Sequence, residues 1–219
     1  MELFLDTNVL LGYTFKIDSW NSQSLFVIES GFEKCSSNNV KREFKKIYNE
    51  KNTLANKDLT EILIKLSRKK SIDNKKLMNI LNDHYLKPSI ESLWDAGLST
   101  INKDTLMRDI REIKRICDLE IRNNKLTLEK CICFYDRGGE KYEEIYQKLL
   151  KTGLMFVNPA DGYIVLDAHH VGLIKNNLHF VTGDKNDIVN RKSSIIDSTS
   201  IKNIIYLAEF SDFCKDVTS

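Results

Sequence analysis

Residues 3–8 read Leu-Phe-Leu-Asp-Thr-Asn, and residues 180–184 read Phe-Val-Thr-Gly-Asp. Each is a short apolar run, suited to a buried strand, that gives way at once to threonine and aspartate. In parallel α/β sheets the ligand site lies just beyond the carboxyl ends of the strands. Asp6 and Asp184 are 178 positions apart in the chain, yet this rule brings them side by side. Two carboxylates meeting at a strand-end crevice point to a hard divalent cation and to phosphate chemistry.

Working outward, Leu3 to Leu5 make the first strand and Asp6-Thr7-Asn8 begin the loop after it. A helix centred on Leu25, Phe26, Ile28 and Glu29 follows, with Gly31 placed to close it. Phe32 to Cys35 suit a short second strand, after which Ser36 or Ser37 can cap a helix carrying Val40, Glu43, Phe44 and Ile47. The spacing puts Glu43 on the buried side of that helix, where a charge needs a reason.

From residue 51 to 151 the chain reads as helix after helix. Leu59, Ile62, Leu63 and Leu66 keep helical spacing, as do Leu106, Ile110, Ile113 and Cys117, and Tyr142, Ile145, Tyr146 and Leu149. Breaks fall at Lys87-Pro88 and Arg137-Gly138-Gly139. Beyond them Leu154 to Val157 suit a strand, and Asn158-Pro159 a helix cap with proline at the first helical position. Ile164, Val165, Ala168 and Val171 mark the inward face of that helix, and strands are expected over Leu178–Thr182 and Asn203–Leu207. Alternating strands and helices at both ends argue for an α/β fold with a parallel sheet flanked by helices. Residues 1–50 and 152–219 would build it, with 51–151 as a large all-helical insertion or subdomain.

The 219 residues are 42% hydrophobic and 29% charged, enough for a full core. No apolar stretch reaches the roughly 18 residues of a membrane span. The N-terminus, Met-Glu-Leu-Phe-Leu-Asp, lacks a basic region followed by an apolar one, so a cytoplasmic protein without membrane attachment is expected. Cys35, Cys117, Cys131, Cys133 and Cys214 complete no zinc set and read as reduced thiols. His169 and His170 diverge by about 100° on a helix and cannot share a metal.

The net charge of +2 hides an asymmetry. Lys41 to Lys76 hold twelve Lys/Arg against five Asp/Glu. Such a segment suits a phosphate backbone, with Lys41, Arg42, Lys45, Lys46, Arg68, Lys69 and Lys70 as candidate contacts.

Asp161 falls in the first turn of its helix, where the helix dipole favours a carboxylate. Asp167, about 120° around that helix, faces elsewhere. Asn186 and Asp187 follow Asp184 closely and can add oxygen ligands.

Four segments together resemble the motifs of the PIN-domain nucleases. Leu5-Asp6-Thr7-Asn8-Val9-Leu10 resembles the opening motif, and Ser37 to Glu43, with Val40 inside it, the second. Asp161-x-x-Ile164-x-x-x-Ala168-x-x-x-Gly172 resembles the third, and Val181-Thr182-Gly183-Asp184 the fourth. Ile204-Ile205-Tyr206-Leu207 with Glu209-Phe210 is similar to the closing strand of such domains. The likeness covers roughly residues 1–50 and 152–212. There are two departures. Glu43 and Asp161 are 118 positions apart, much farther than in compact members, and asparagine stands at position 186 where aspartate is common.

The resemblance implies a Mg²⁺- or Mn²⁺-dependent endoribonuclease. Asp6, Glu43, Asp161 and Asp184 would hold or orient the cation, aided by Asn186 and Asp187. Thr7, Asn8 and Thr182 would bond to their carboxylates. A cation-activated water would attack the phosphodiester, and a second ion about 4 Å away could stabilise the leaving oxygen. This chemistry needs no 2′-hydroxyl, so RNA is implied by the resemblance alone and a DNA-directed nuclease remains an alternative. Related small proteins are toxins with antitoxin partners; an RNA-processing enzyme, a protein partner and a homodimer are all compatible with it. The rival from another class is a catalytically inactive RNA-binding or scaffolding protein of the same fold. A phosphatase fits less well, because no Gly-rich phosphate loop and no Asp-x-Asp pair follow the first strand.

Overall fold

The structure, a computed structural model, describes residues 1–69, 72–82, 84, 87–94, 103–153 and 159–218. They form two compact units, Met1–Lys45 with Asn124–Ser219, and Lys46–Asn123.

The first unit is built on a five-stranded sheet whose neighbouring strands all pair in parallel, in the order β3-β2-β1-β4-β5. The strands are β1 Glu2–Leu5, β2 Glu33–Ser37, β3 Cys133–Tyr135, β4 Leu178–Thr182 and β5 Asn203–Tyr206. Leu3, Phe4, Leu5, Phe180 and Val181 are fully buried, and the Phe4 and Phe180 rings, register partners, lie 5.4 Å apart. These continuous apolar runs are what a parallel strand covered on both faces requires. The chain runs from β1 outward to β2 and β3, then crosses back to β4 on the other side of β1. The β1/β4 boundary is thus the point where strand order reverses and a crevice opens at the carboxyl edge.

Helices flank the sheet: α1 Thr7–Thr14, α2 Asn21–Glu29, the N-terminal end of α3 Asn38–Ser67, the C-terminal end of α6 Lys103–Cys131, α7 Glu143–Lys151, α8 Pro159–Lys175, α9 Lys192–Ser198 and α10 Phe210–Thr218. The residues after β1 are not a loop. Asp6 is itself the N-cap of α1, its side chain accepting from the Thr7 backbone N–H, so strand passes to helix in one residue. Gly31 does not close α2 in a left-handed turn; the helix ends at Ser30, whose backbone is extended. Ser37 caps α3, its hydroxyl accepting from the Val40 N–H at 3.2 Å. The five cysteines are free thiols.

The second unit contains the remainder of α3 with α4 Asn74–Leu81, α5 Lys87–Trp94 and most of α6. Its core joins Ala55, Ile62, Leu66, Leu77, Ile80, Leu81, Ile90, Leu106 and Ile110. It also buries His84 against Asp58, Nδ1 to Oδ1 at 3.1 Å. This unit is shorter than the 51–151 stretch read as all-helical. Within that stretch, Cys133–Tyr135 is a sheet strand and residues 124–151 belong to the first unit. A three-residue edge strand directly behind a long helix is too short to break the helical pattern visibly. The strand read at Leu154–Val157 and the Asn158 cap lie outside the described residues. Among the described residues, no helix is long and apolar enough to cross a membrane.

Candidate metal centre

Four elements each deliver one acid. Asp6 is the first residue beyond β1 and Asp184 the second beyond β4. Asp161 is the third residue of α8, in its first turn, and Glu43 the sixth of α3. The mutual repulsion of these carboxylates records their convergence: Asp161 feels the charges of Asp6, Asp184 and Glu43, and Asp6 those of Glu43 and Asp184. Carboxylate oxygens of Asp161, Asp184 and Asp187 lie within 4.8 Å of one another.

Asp6 is only 4% exposed and is held on both oxygens. Oδ1 accepts from the Thr7 N–H at 2.6 Å; Oδ2 accepts from Thr182 Oγ1 at 2.7 Å and Asn8 Nδ2 at 3.0 Å. The Thr7 hydroxyl donates to Glu43 Oε2 at 2.5 Å, tying α3 to the end of β1. Asn8 Oδ1 accepts from the Gly183 N–H at 2.8 Å, and Thr182 Oγ1 from the Asp184 N–H at 3.0 Å. The ends of β1 and β4 are thereby knitted through side chains.

Burial pushes the Asp6 carboxyl up to about 6, with the Glu43 and Asp184 charges adding to the shift and the Thr182 and Thr7 donors opposing it. Burial likewise raises Asp161, to about 8. The charges of Asp6 and Asp184 then push the same way, as does a hydrogen bond to Asp184 that only the protonated acid can donate. Crowded carboxylates that resist ionisation are what a hard cation would relieve. An all-carboxylate oxygen set also suits Mg²⁺ or Mn²⁺, so the residues fit such an ion.

The loop after Asp184 is pinned by a residue that sequence reading missed. Arg191 Nη1 donates to the Asn186 and Asp187 carbonyls, both at 2.9 Å, and to Asp187 Oδ1 at 3.3 Å, while its Nε donates to the Thr152 carbonyl at 3.2 Å. The Asp187 N–H donates to Asp184 Oδ1 at 2.9 Å. Asp187 thus stands between the acids and a guanidinium, whereas Asn186 is exposed. The i,i+4 spacing of Asp187 and Arg191 was the available signal.

Asp167 is 3% exposed and committed elsewhere: Oδ1 accepts from Arg137 Nε at 2.9 Å and Oδ2 from Asn39 Nδ2 at 2.7 Å. That pairing joins α8 and the segment after β3 to the first turn of α3, one turn before Glu43. Arg137, read only as part of a break, therefore braces two acid-bearing helices.

The basic candidates divide. Lys41, Arg42 and Lys45 belong to the same unit as the acids and are exposed. Lys41 and Lys45 stand two residues either side of Glu43, hence on the opposite side of α3. Lys41 lies 4.8 Å from the Phe134 ring centroid, and Arg42 donates to Asn39 Oδ1 at 2.9 Å. Lys46, Arg68 and Lys69 are exposed residues of the helical unit, and Lys70 lies outside the described residues. Compared with protein-family models, curated proteins and solved structures, the chain matches none of them.

Proposed function

We propose that this chain is a divalent-cation-dependent endoribonuclease of the PIN type. The observation that carries the reading is the meeting of Asp6, Glu43, Asp161 and Asp184 at the carboxyl edge of a parallel sheet, where strand order reverses. Asp161, Asp184 and Asp187, whose carboxylate oxygens lie within 4.8 Å of one another, would hold Mg²⁺ or Mn²⁺, with Asp6 and Glu43 beside them to complete the set. The bound ion supplies a Lewis acid that makes water nucleophilic near neutral pH and stabilises the leaving oxygen.

The chain's own residues do the rest. Thr182 and Asn8 fix the Asp6 carboxylate by donating to Oδ2, and Thr7 orients Glu43. Such bonds keep a ligand set in place before the ion arrives. Burial and the charges of Asp6 and Asp184 raise the Asp161 carboxyl, and a bound cation would offset that repulsion and favour its ionised form. The helical unit Lys46–Asn123 contains none of the four acids. On this reading it is an insertion between the second and third motifs, and it shapes substrate choice rather than the chemistry, its exposed lysines and arginines meeting phosphate.

The test is a cleavage assay on RNA, with DNA of the same sequence beside it, in Mg²⁺, Mn²⁺ and EDTA. It is paired with Mn²⁺ titration by calorimetry. The parent should cut RNA only with the cation, and Asp184→Asn should lose about 10²- to 10³-fold in rate, the scale on which a preorganised electrostatic group contributes. A purified parent that binds RNA but takes up no Mn²⁺ and leaves the RNA intact would favour the non-catalytic reading.

A further inference from the structure

Beside the acids, on the β5 side, stands an aromatic pair with no part in holding Asp6, Glu43, Asp161 or Asp184. Tyr206 ends β5 as the register partner of Thr182, the residue that donates to Asp6. Trp20, just before α2, meets it edge-on, with ring centroids 5.6 Å apart and planes at 79°. The indole edge is pressed against the backbone next to Asp184. A Cβ placed on Gly183 would sit 2.9 Å from Trp20 Nε1 and 3.0 Å from Cε2, so only glycine lets the indole come this close. The Trp20 backbone N–H donates to Asp18 Oδ1 at 3.1 Å, fixing where the ring starts. Lys185, the residue after Asp184, carries its Nζ 5.9 Å from the Tyr206 ring centroid.

An edge-to-face contact does not stack the two ring faces on each other, and both residues keep partial exposure. Two aromatic rings and a cation one residue from a carboxylate of the cluster offer what one nucleotide asks for: a π surface for the base and a positive charge for the phosphate. We propose that Trp20, Tyr206 and Lys185 form a subsite that stacks an unpaired nucleobase next to the bond presented to the acids, selecting single-stranded nucleic acid. A base still paired and stacked in a duplex has no free face to offer, which is the origin of the selectivity. The subsite depends on the nuclease reading, since a stacked base beside these acids has a purpose only if its phosphodiester is the substrate.

The chain has two tryptophans, so a Trp94→Phe background makes emission report Trp20 alone. Binding is measured at low salt in EDTA, where no cleavage is expected, with an oligouridylate and an abasic phosphodiester oligomer of equal length. The oligouridylate should quench Trp20 and bind more tightly than the abasic chain. Trp20→Leu should weaken oligouridylate binding about 5- to 150-fold, the range for one aromatic–base stack, and leave the abasic oligomer unaffected. Trp20→Phe, which keeps a ring, should restore most of the difference. Lys185→Ala, at an exposed position, should weaken both oligomers alike and reduce the salt slope by about one. Equal binding of the two oligomers by the parent, or equal affinities for Trp20→Leu and Trp20→Phe, would overturn the subsite and leave the nuclease reading standing. A parent that binds neither oligomer would remove both.

Discussion

Thr182 and Asp6, 176 positions apart, are joined by a 2.7 Å hydrogen bond from Thr182 Oγ1 to Asp6 Oδ2, in a setting where the threonine is wholly buried. The same hydroxyl accepts from the Asp184 N–H, so a single side chain registers both strand-end acids. Thr182→Val keeps the shape and removes the hydroxyl. It should weaken Mn²⁺ binding about 10- to 100-fold, the usual cost of losing a group that orients a ligand. It should also lower stability by about 1–3 kcal/mol, because the buried Asp6 carboxylate loses one of its donors and the Asp184 N–H its acceptor. Thr182→Ser should be close to the parent in calorimetric titration and urea unfolding. Equal Mn²⁺ affinity in the valine variant would show that the hydroxyl does not organise the acids.

Stability should depend on pH with a defined sign. Asp6 and Asp161 have folded pKa values above the ordinary 3.8, at about 6 and about 8, so between pH 4 and 8 the folded state holds protons that the unfolded chain has released. Their contribution is fully present below pH 4 and is lost as pH rises through 6 and then 8. In EDTA the melting temperature should fall by several degrees from pH 5 to pH 8, and saturating Mn²⁺ should remove most of that slope. A metal-free melting temperature that stays flat, or climbs, across this window would contradict the crowding of the acids.

Asp161→Asn removes the charge most opposed by its neighbours. In EDTA at pH 8 it should melt a few degrees above the parent, while losing Mn²⁺ binding and cleavage together. Higher stability with lost function is the signature of a site strained for its ligand. A variant that melts lower than the parent at pH 8 would mean that packing, not repulsion, dominates there.

Breaking the Arg137–Asp167 pair should cost far more than a surface ion pair would. Arg137→Met leaves Asp167, 3% exposed, with Asn39 as its one donor among the described residues, and should destabilise by about 3–5 kcal/mol in urea unfolding. Adding Asp167→Leu should recover much of the loss, because the uncompensated buried charge goes with it. If the single variant unfolds at the parent's urea concentration, the pair carries no structural weight.

Neutralising Arg68 and Lys69 together should weaken RNA binding and flatten its salt dependence by about one unit for each phosphate no longer neutralised, leaving Mn²⁺ affinity unchanged. Both side chains are exposed, so the fold should tolerate the change. Parent-like affinity across a salt series would make them plain solvated surface.

The sequence by itself determined what short-range pattern can carry. The apolar runs at Leu3–Leu5 and Leu178–Thr182 suited strands buried on both faces, and in a parallel sheet the aspartates following them would lie at one edge. The helical spacing of Ile164, Val165, Ala168 and Val171 set which side of α8 is inward, and so turned Asp167 away from the direction of Asp161. Tertiary structure alone decided the strand order, the three-residue strand Cys133–Tyr135 at the edge of the sheet, and the choice of Arg137 as partner for Asp167. It alone brought Arg191 round to the Asp184–Asp187 loop and Trp20 against Gly183. Periodicity is written locally, because each turn or pleat repeats within a few residues. A hydrogen bond or a ring contact depends instead on which of many similar side chains the packed chain carries to the same place. An arginine in a Gly-Gly break, or a tryptophan before a helix, looks in the sequence like any other.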